Sequence, residues 1–474
     1  MLQDVSAVVV AVLSIGISLA ATGHVVLNKR DVRAALGWVG FIWFAPVLGA
    51  VAYLVLGVNR IRRRAQALRL PEVRARLPEA LRPPPPPLPP EAEHLRSLVA
   101  LADGAVRRPL VAGNAVTLLE GGARAYAEMR AAIERAERSV TLCTYLFDPG
   151  VAGDAIATAL AGAHERGAQV RVLIDAVGAR YRWPAAHGRL RRLGIPTELF
   201  LPRLTPGWLP FVNLRNHRKV LVVDGRVGFT GGMNIRDDFL PADGRLPFVD
   251  LHARLEGPVV EHLQSAFAED WLFTTGEPLE GSAFFPPLRR AGDVLARGVA
   301  DGPDEDFEAI RWILLGALAT ARERVTIVTP YFLPDAGLVT ALDVAVMRGI
   351  EVDVVLPERG NLTIVQWAQT AGLWQVLERG CRVWLSPPPF DHTKLMAVDG
   401  AWSLLGSANW DPRSLRLNFE LDVECYDPGL AARVEALARE RIGRARRVTL
   451  ADVDGRPLPV KLRDGVARLF SPYL

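Results

Sequence analysis

An eighteen-residue pattern occurs twice in this chain, and a sequence that repeats itself folds into two similar units. The first copy runs His217-Arg-Lys219-Val-Leu-Val-Val-Asp224-Gly225 and on to Gly231-Gly232-Met-Asn234. The second runs His392-Thr-Lys394-Leu-Met-Ala-Val-Asp399-Gly400 and on to Gly406-Ser407-Ala-Asn409. The flanking sequence repeats in the same order. Ala131–Ser139 followed by Val140–Phe147 parallels Ala317–Arg324 followed by Val325–Phe332, a polar-apolar helix pattern running into a β-branched strand. Arg166-Gly167 before Val170–Ile174 parallels Arg348-Gly349 before Val352–Leu356, with glycine placed to end a helix ahead of a strand. Leu193-Gly194-Ile195 and Arg379-Gly380-Cys381 mark a third such junction. Apolar strands alternating with helices predict an α/β fold, a mixed sheet flanked by helices, in two similar lobes over residues 107–280 and 281–474.

Within each copy the stretch from His to Asp reads as a strand, since Val220–Val223 and Leu395–Val398 are apolar and β-prone. Alternation then puts His217 with Lys219, and His392 with Lys394, on one face. Asp224-Gly225 and Asp399-Gly400 each precede another apolar run, which predicts hairpins. Asp224 and Asp399 are therefore read first as turn formers or structural partners, with direct catalytic duty as the alternative that keeps them among the candidates. The second hairpin strand returns to small residues and to Asn234 or Asn409, whose amides suit an oxyanion.

A phosphodiester is anionic and resists attack. Its cleavage without a metal needs cations on the non-bridging oxygens, a nucleophile, and an acid for the leaving alkoxide. Two lysines, two asparagines and two histidines fill that list, with one imidazole neutral for attack and the other protonated for donation. Of the eight histidines, His24, His94, His164, His187 and His262 lack such company, and His252 stands out only because it follows Asp250. Cys143, Cys381 and Cys425 are widely spaced and odd in number, which argues against a disulfide framework or a zinc site. Cys143 and Cys381 read as small buried hydrophobes. No cofactor or metal is expected.

The N-terminus carries a different signal. Residues 6–27 contain no Lys, Arg, Asp or Glu, and a second apolar stretch over 36–58 contains Trp38, Trp43, Pro46, Gly49 and Tyr53. Each is long enough to cross ~30 Å of hydrocarbon as a helix, so residues 1–64 are expected to form a two-helix transmembrane hairpin. A cleaved signal peptide fits less well, because Met1-Leu-Gln-Asp4 carries no positive charge. Arg60, Arg62, Arg63 and Arg64, followed by Arg69, Arg74 and Arg76, outweigh the three cations between the stretches, which places both lobes in the cytoplasm. Residues 65–106, with the run Pro83–Pro87, are expected to be a basic, proline-rich linker. Net charge is only +4, from 56 basic and 52 acidic residues, and the basic residues do not concentrate in a groove between the motifs, which weighs against nucleic acid.

Taken together, these residues resemble the phospholipase D superfamily and, within it, the bacterial cardiolipin synthases. The resemblance also rests on Phe248-Val-Asp250-Leu-His252, Ala268-Glu-Asp-Trp271, Thr329-Pro-Tyr-Phe-Leu-Pro-Asp335, and Asp411-Pro-Arg413-Ser414 to Asn418-Phe-Glu420. It implies two phospholipase D-like lobes behind the membrane hairpin, and transfer of a phosphatidyl group between two phosphatidylglycerols at an inner membrane, giving cardiolipin and glycerol. Phospholipase D-type hydrolysis or head-group exchange on another phospholipid is the alternative. It further implies a phosphohistidine intermediate, with His217 as nucleophile and His392 as acid and base, or the reverse, and with Asp250 and Glu420 orienting the imidazoles. The chain departs from the family in Leu385–Asp391 ahead of the second motif and in reading His-Thr-Lys there. Trp208-Leu-Pro-Phe211 is either a membrane-dipping or a packed loop.

Overall fold

The computed structural model describes residues 2–29, 32–57, 85–182, 185–201, 214–242, 244–303 and 308–474. The basic run from Arg60 to Arg76, the Pro83-Pro84 start of the proline run and the loop Trp208–Phe211 lie outside them. The chain falls into two compact units, Met1–Ala67 with Arg203–Leu214, and Leu68–Pro202 with Arg215–Leu474.

In the first unit Leu2–Asn28 is one helix, and Val8–Asn28 within it is long and apolar enough to cross a membrane. The second apolar stretch is not one helix. It divides into Val32–Phe44 and Pro46–Ala52, broken at Ala45, whose extended backbone (φ −136°) precedes the proline ring that cannot donate to the preceding turn. Gly49 permits the break: a Cβ there would lie 2.6 Å from Phe41 O. The two stretches pack side by side through Val25, Ile42 and Tyr53, tied by His24 Nδ1 to Tyr53 OH (2.8 Å) and by Trp43 Nε1 donating to Thr22 Oγ1 (3.1 Å). Most other apolar side chains of Val8–Asn28 face outward, which suits a hydrocarbon surrounding.

The second unit is built on one mixed sheet. Its strands are β1 (Val111–Glu120), β2 (Ser139–Thr144), β3 (Gln169–Asp175), β4 (Thr197–Phe200), β5 (Arg215–Asn216), β6 (Val220–Val223), β7 (Val227–Gly231) and β8 (Leu251–Glu256) in the first half. The second half holds β9 (Val294–Asp301), β10 (Arg324–Val328), β11 (Glu351–Pro357), β12 (Arg382–Ser386), β13 (Leu395–Val398), β14 (Trp402–Gly406), β15 (Asn418–Tyr426) and β16 (Arg446–Val448). The halves repeat one plan. β2, β3 and β4 are parallel neighbours, as are β10, β11 and β12, and each trio continues antiparallel into the motif hairpin, β6-β7 or β13-β14. Helices Val151–Glu165 and Ala336–Met347 make the first crossover of each half, ending at Gly167 and Gly349 with φ of 92° and 88°, values a side chain would disfavour. The halves meet where β1 pairs antiparallel with β9, so the sheet runs unbroken from β16 to β4.

Each half keeps its own apolar core. The expected linker over 65–106 is shorter than the composition suggested, because Arg96–Ala105 is a helix embedded in the second core. Leu95, Leu98, Val99 and Ala102 recur at helical spacing and are buried against Ile313, Leu314 and Ala317 of helix Ala309–Thr320. Both predicted hairpins form. Asp224 and Gly225 have φ of 53° and 62°, Asp399 and Gly400 51° and 61°, the paired positive values that a type I′ turn requires.

Candidate active site

The ladder of each motif strand starts three residues later than expected, at Val220 and Leu395, and both histidines lie in the irregular segments just before. What fixes them is backbone from the opposite half. β5 pairs in parallel with the start of β15, and the His217 N–H donates to Phe419 O (2.9 Å). Reciprocally, Val249 bridges Asp391, and the His392 N–H donates to Val249 O (2.7 Å).

The side chains cross in the same way. His217 Nδ1 lies 2.9 and 3.0 Å from the two carboxylate oxygens of Glu420 on β15. His392 Nδ1 lies 2.8 Å from Asp250, just ahead of β8. Each imidazole is thus held by a carboxylate from the other half, leaving its Nε2 for chemistry. Glu420 also accepts from Ser407 Oγ (2.5 Å) and Asn418 Nδ2 (3.1 Å). The Gly232/Ser407 difference between the repeats follows from this: a Cβ at Gly232 would strike the Asp250 carboxylate at 2.3 Å, whereas the Ser407 hydroxyl donates to Glu420.

The two carboxylates differ electrostatically. Burial pushes Asp250 up to about 7 against the pull of Lys394. Burial acts on Glu420 as well, yet His217, Lys219 and the Ser407 hydroxyl hold it below the usual range. Burial lowers His217, with Glu420 opposing, and it lowers His392 well below the ordinary value with the help of Lys394 and Lys219. Lys219 and Lys394 are buried and brought down to about 7 and about 8, chiefly by desolvation. Each ammonium donates to the carbonyl of its own histidine, Lys219 at 2.6 Å and Lys394 at 2.5 Å.

Below the first imidazole, Arg218 is buried and ties the halves together. It donates to Asp270 (2.8 Å), Glu420 O (3.0 Å) and Asp301 O (3.1 Å), and Asp270 also accepts from Asn216 Nδ2 (2.8 Å). In the second half, where Thr393 replaces that arginine, Arg441 reaches in from helix Pro428–Arg444 to Asp391 (2.6 Å) and to Thr393 Oγ1 (3.3 Å).

His217 and His392 line one cleft of about 360 Å³, together with Asn234 and Asn409. Lys219 and Lys394 sit behind the imidazoles, outside that lining, as do Asp250 and Glu420. Asn234 Oδ1 accepts from Leu146 N (3.1 Å), and Asn409 Nδ2 donates to Ser414 Oγ (3.2 Å). Tyr145 packs edge-on to His217 (centroids 5.3 Å), and Tyr331 packs at right angles to His392 (6.5 Å). These tyrosines, and Arg215, Arg236 and Arg413 on the cleft wall, were not among the sequence candidates. The strand ends Thr144-Tyr145-Leu-Phe147 and Thr329-Pro-Tyr331-Phe332 carry the aromatic one position apart, so matching the repeats residue by residue passes over it.

The structure does not bring Asp224 and Asp399 to the cleft, which corrects their place in the catalytic set. The Asp224 carboxylate accepts backbone N–H groups of Glu137, Arg138 and Ser139 at 2.7–3.2 Å. Asp399 accepts those of Arg322, Glu323 and Arg324 at 2.8–2.9 Å, and it pairs with His94. Each carboxylate anchors its hairpin turn to the loop before β2 or β10. Asp399→Asn is expected to cost about 1–3 kcal/mol of stability. In detergent, melting should shift down while turnover per folded molecule stays within twofold. A hundredfold loss of turnover at unchanged melting would restore the catalytic reading.

His252, flagged only for following Asp250, is buried and brought down to about 4 by desolvation. Cys143 and Cys381 are buried, as expected of small hydrophobes.

Comparison with known proteins yields a family model described as cardiolipin synthase, PLD-like domain, matching residues 129–271 and 314–441. A second model, phospholipase D-nuclease N-terminal, matches residues 16–57. Cardiolipin synthase A of Pseudomonas putida (strain GB-1) is 34% identical over 97% of this chain and 96% of its own length. Cardiolipin synthase of Geobacillus kaustophilus is 30% identical over 94% of this chain and 90% of its own. Among solved structures, phosphatidylserine synthase of Haemophilus influenzae Rd KW20 superposes with a TM-score of 0.63 at 15% identity. It covers 80% of this chain and all of its own, a likeness of fold.

Proposed function

The chain belongs to the cardiolipin synthases of the phospholipase D superfamily and is a phosphatidyltransferase; from that premise we propose that it joins two phosphatidylglycerols into cardiolipin, releasing glycerol. The observation that carries the reading is the crossed pair of imidazoles facing one cleft. His217 Nε2 attacks the donor phosphorus while the bond to the glycerol head group breaks, and His392 gives that alkoxide its proton. The acceptor's glycerol hydroxyl then gives its proton to neutral His392 and attacks the phosphorus, breaking the P–N bond and freeing His217. One phosphodiester is exchanged for another, so no external energy source is needed.

The electrostatics support that order. Ionised Glu420 compensates the positive charge left on the His217 ring when Nε2 bonds phosphorus. The surroundings of His392 disfavour its cation, and an anionic phosphodiester opposite it offsets that, so the ring can hold the proton that it then gives up to the alkoxide. Lys219 and Lys394 add positive potential from behind, and Arg215, Arg236 and Arg413 line the wall along which two anionic lipids would enter. Among the described residues no donor reaches Asn409 Oδ1 or Asn418 Oδ1, and both asparagines line the cleft, as suits the hydroxyls of a glycerol head group.

The protein is membrane-associated. In our reading the helix Val8–Asn28 and the broken stretch 32–57 cross the bilayer as a hairpin, with the sheet domain on the cytoplasmic side of the inner membrane, on the strength of the arginines from Arg60 to Arg76. The test is to incubate the full-length enzyme in phosphatidylglycerol bilayers and resolve the products by mass spectrometry. Cardiolipin and glycerol in equal amounts are expected. Phosphatidic acid without cardiolipin would sink the synthase reading in favour of hydrolysis.

A further inference from the structure

The helix Leu458–Leu469 is apolar on two sides. One side, through Ala467, packs with Val365 and Ala368 of helix Thr363–Gly372. The other faces solvent: Leu458, Leu462, Val466 and Leu469 are 68%, 61%, 56% and 77% exposed. At 100° per residue these four fall within about 80° of one another, opposite the buried side. Lys461 and Arg468 border the stripe on one edge and Arg463 on the other. Arg463 is oriented by buried Asp464, to which it donates at 2.7 and 2.9 Å, and it lies over the Trp367 ring at 4.3 Å.

We propose that this stripe is a lipid-docking surface that lies in the headgroup region of an anionic bilayer and sets the cleft mouth on the membrane. Two observations choose a lipid over a second protein copy. The cations on both edges complement anionic headgroups, whereas a two-fold pairing of the stripe with itself would set cation against cation. The apolar surface also continues into the cleft. Past Leu469 come exposed Phe470 and then Leu474, which lines the cleft, as do Leu362 and Ile364 at the start of the helix beneath. A phospholipid with its phosphate at the imidazoles needs such a surface for its acyl chains. This inference rests on the reading that the substrate is a lipid.

The test uses the full-length protein in vesicles of phosphatidylcholine and phosphatidylglycerol. The natural cysteines are buried, so Val466→Cys gives a single accessible site for an environment-sensitive fluorophore. Docking predicts blue-shifted emission that doxyl-labelled lipids quench, with weaker quenching when phosphatidylglycerol is left out. Leu462→Glu with Leu469→Glu is expected to lower activity on bilayer substrate by about tenfold or more, while activity on monomeric short-chain phosphatidylglycerol is unchanged. Water-like, unquenched emission would overturn the proposal. So would a blue shift without quenching, which marks a protein partner, or full bilayer activity in the double variant. Quenching in labelled Val466→Cys, with the wild-type enzyme inactive on both forms of phosphatidylglycerol, would leave the docking surface standing and remove the substrate reading instead.

Discussion

His217→Ala and His392→Ala are each expected to abolish cardiolipin formation, by roughly 10⁴-fold or more, with the fold intact. Both imidazoles stand at the wall of an open cleft, so truncation enlarges that cleft without emptying a core. The two variants should separate on a phosphatidyl ester of nitrophenol, whose leaving group departs without a proton. Without its acid and base, the His392→Ala enzyme should release one equivalent of nitrophenolate and stall with the phosphatidyl group on His217. His217→Ala should give no burst. Peptide mapping of the acid-labile adduct checks the roles, and an adduct on His392 in the His217→Ala enzyme would exchange them.

Glu420→Gln is expected to lower kcat by about 10²–10⁴, because an amide cannot compensate a positive imidazole and favours the wrong tautomer. Asp250→Asn should cost less. The Asp250 carboxyl is already pushed up to about 7, so the charge removed is only partly present near neutrality, whereas Glu420 is held ionised. The sign follows: a group raised to about 7 loses its charge as pH falls through that value, and a depressed one keeps it. The wild-type enzyme should therefore lose the contribution of Asp250 on the acid side of pH 7, and Asp250→Asn should flatten that limb of the kcat profile. Equal losses in both variants at every pH would mean that the carboxylates only position the rings.

Much of the fold is legible in the sequence. The repeat gave two halves because His, Lys, Asp-Gly and Asn recur at identical spacing, and Asp-Gly between apolar runs fixed both hairpins through its tolerance of positive φ. The same Asp-Gly signal puts Asp224 and Asp399 at the turns. The crossing of Glu420 to His217 and of Asp250 to His392 was not legible, because it depends on β1 meeting β9 and on β5 lying along β15, contacts far apart in sequence. Nor did alternation reveal where a ladder begins, so the histidines read as strand residues. Arg96–Ala105 falls inside the expected linker because the neighbouring proline run dominates the composition, although its own helical periodicity marks a buried face.

The crossed carboxylates also bear on how such a chain can change over generations. A half that lends its acid to the other's imidazole, and borrows one in return, has no working site of its own to fall back on. Loss of either half's contribution is expected to disable the shared cleft, so the duplication confers no redundancy, and the two copies stay bound to each other along the seam where they trade residues.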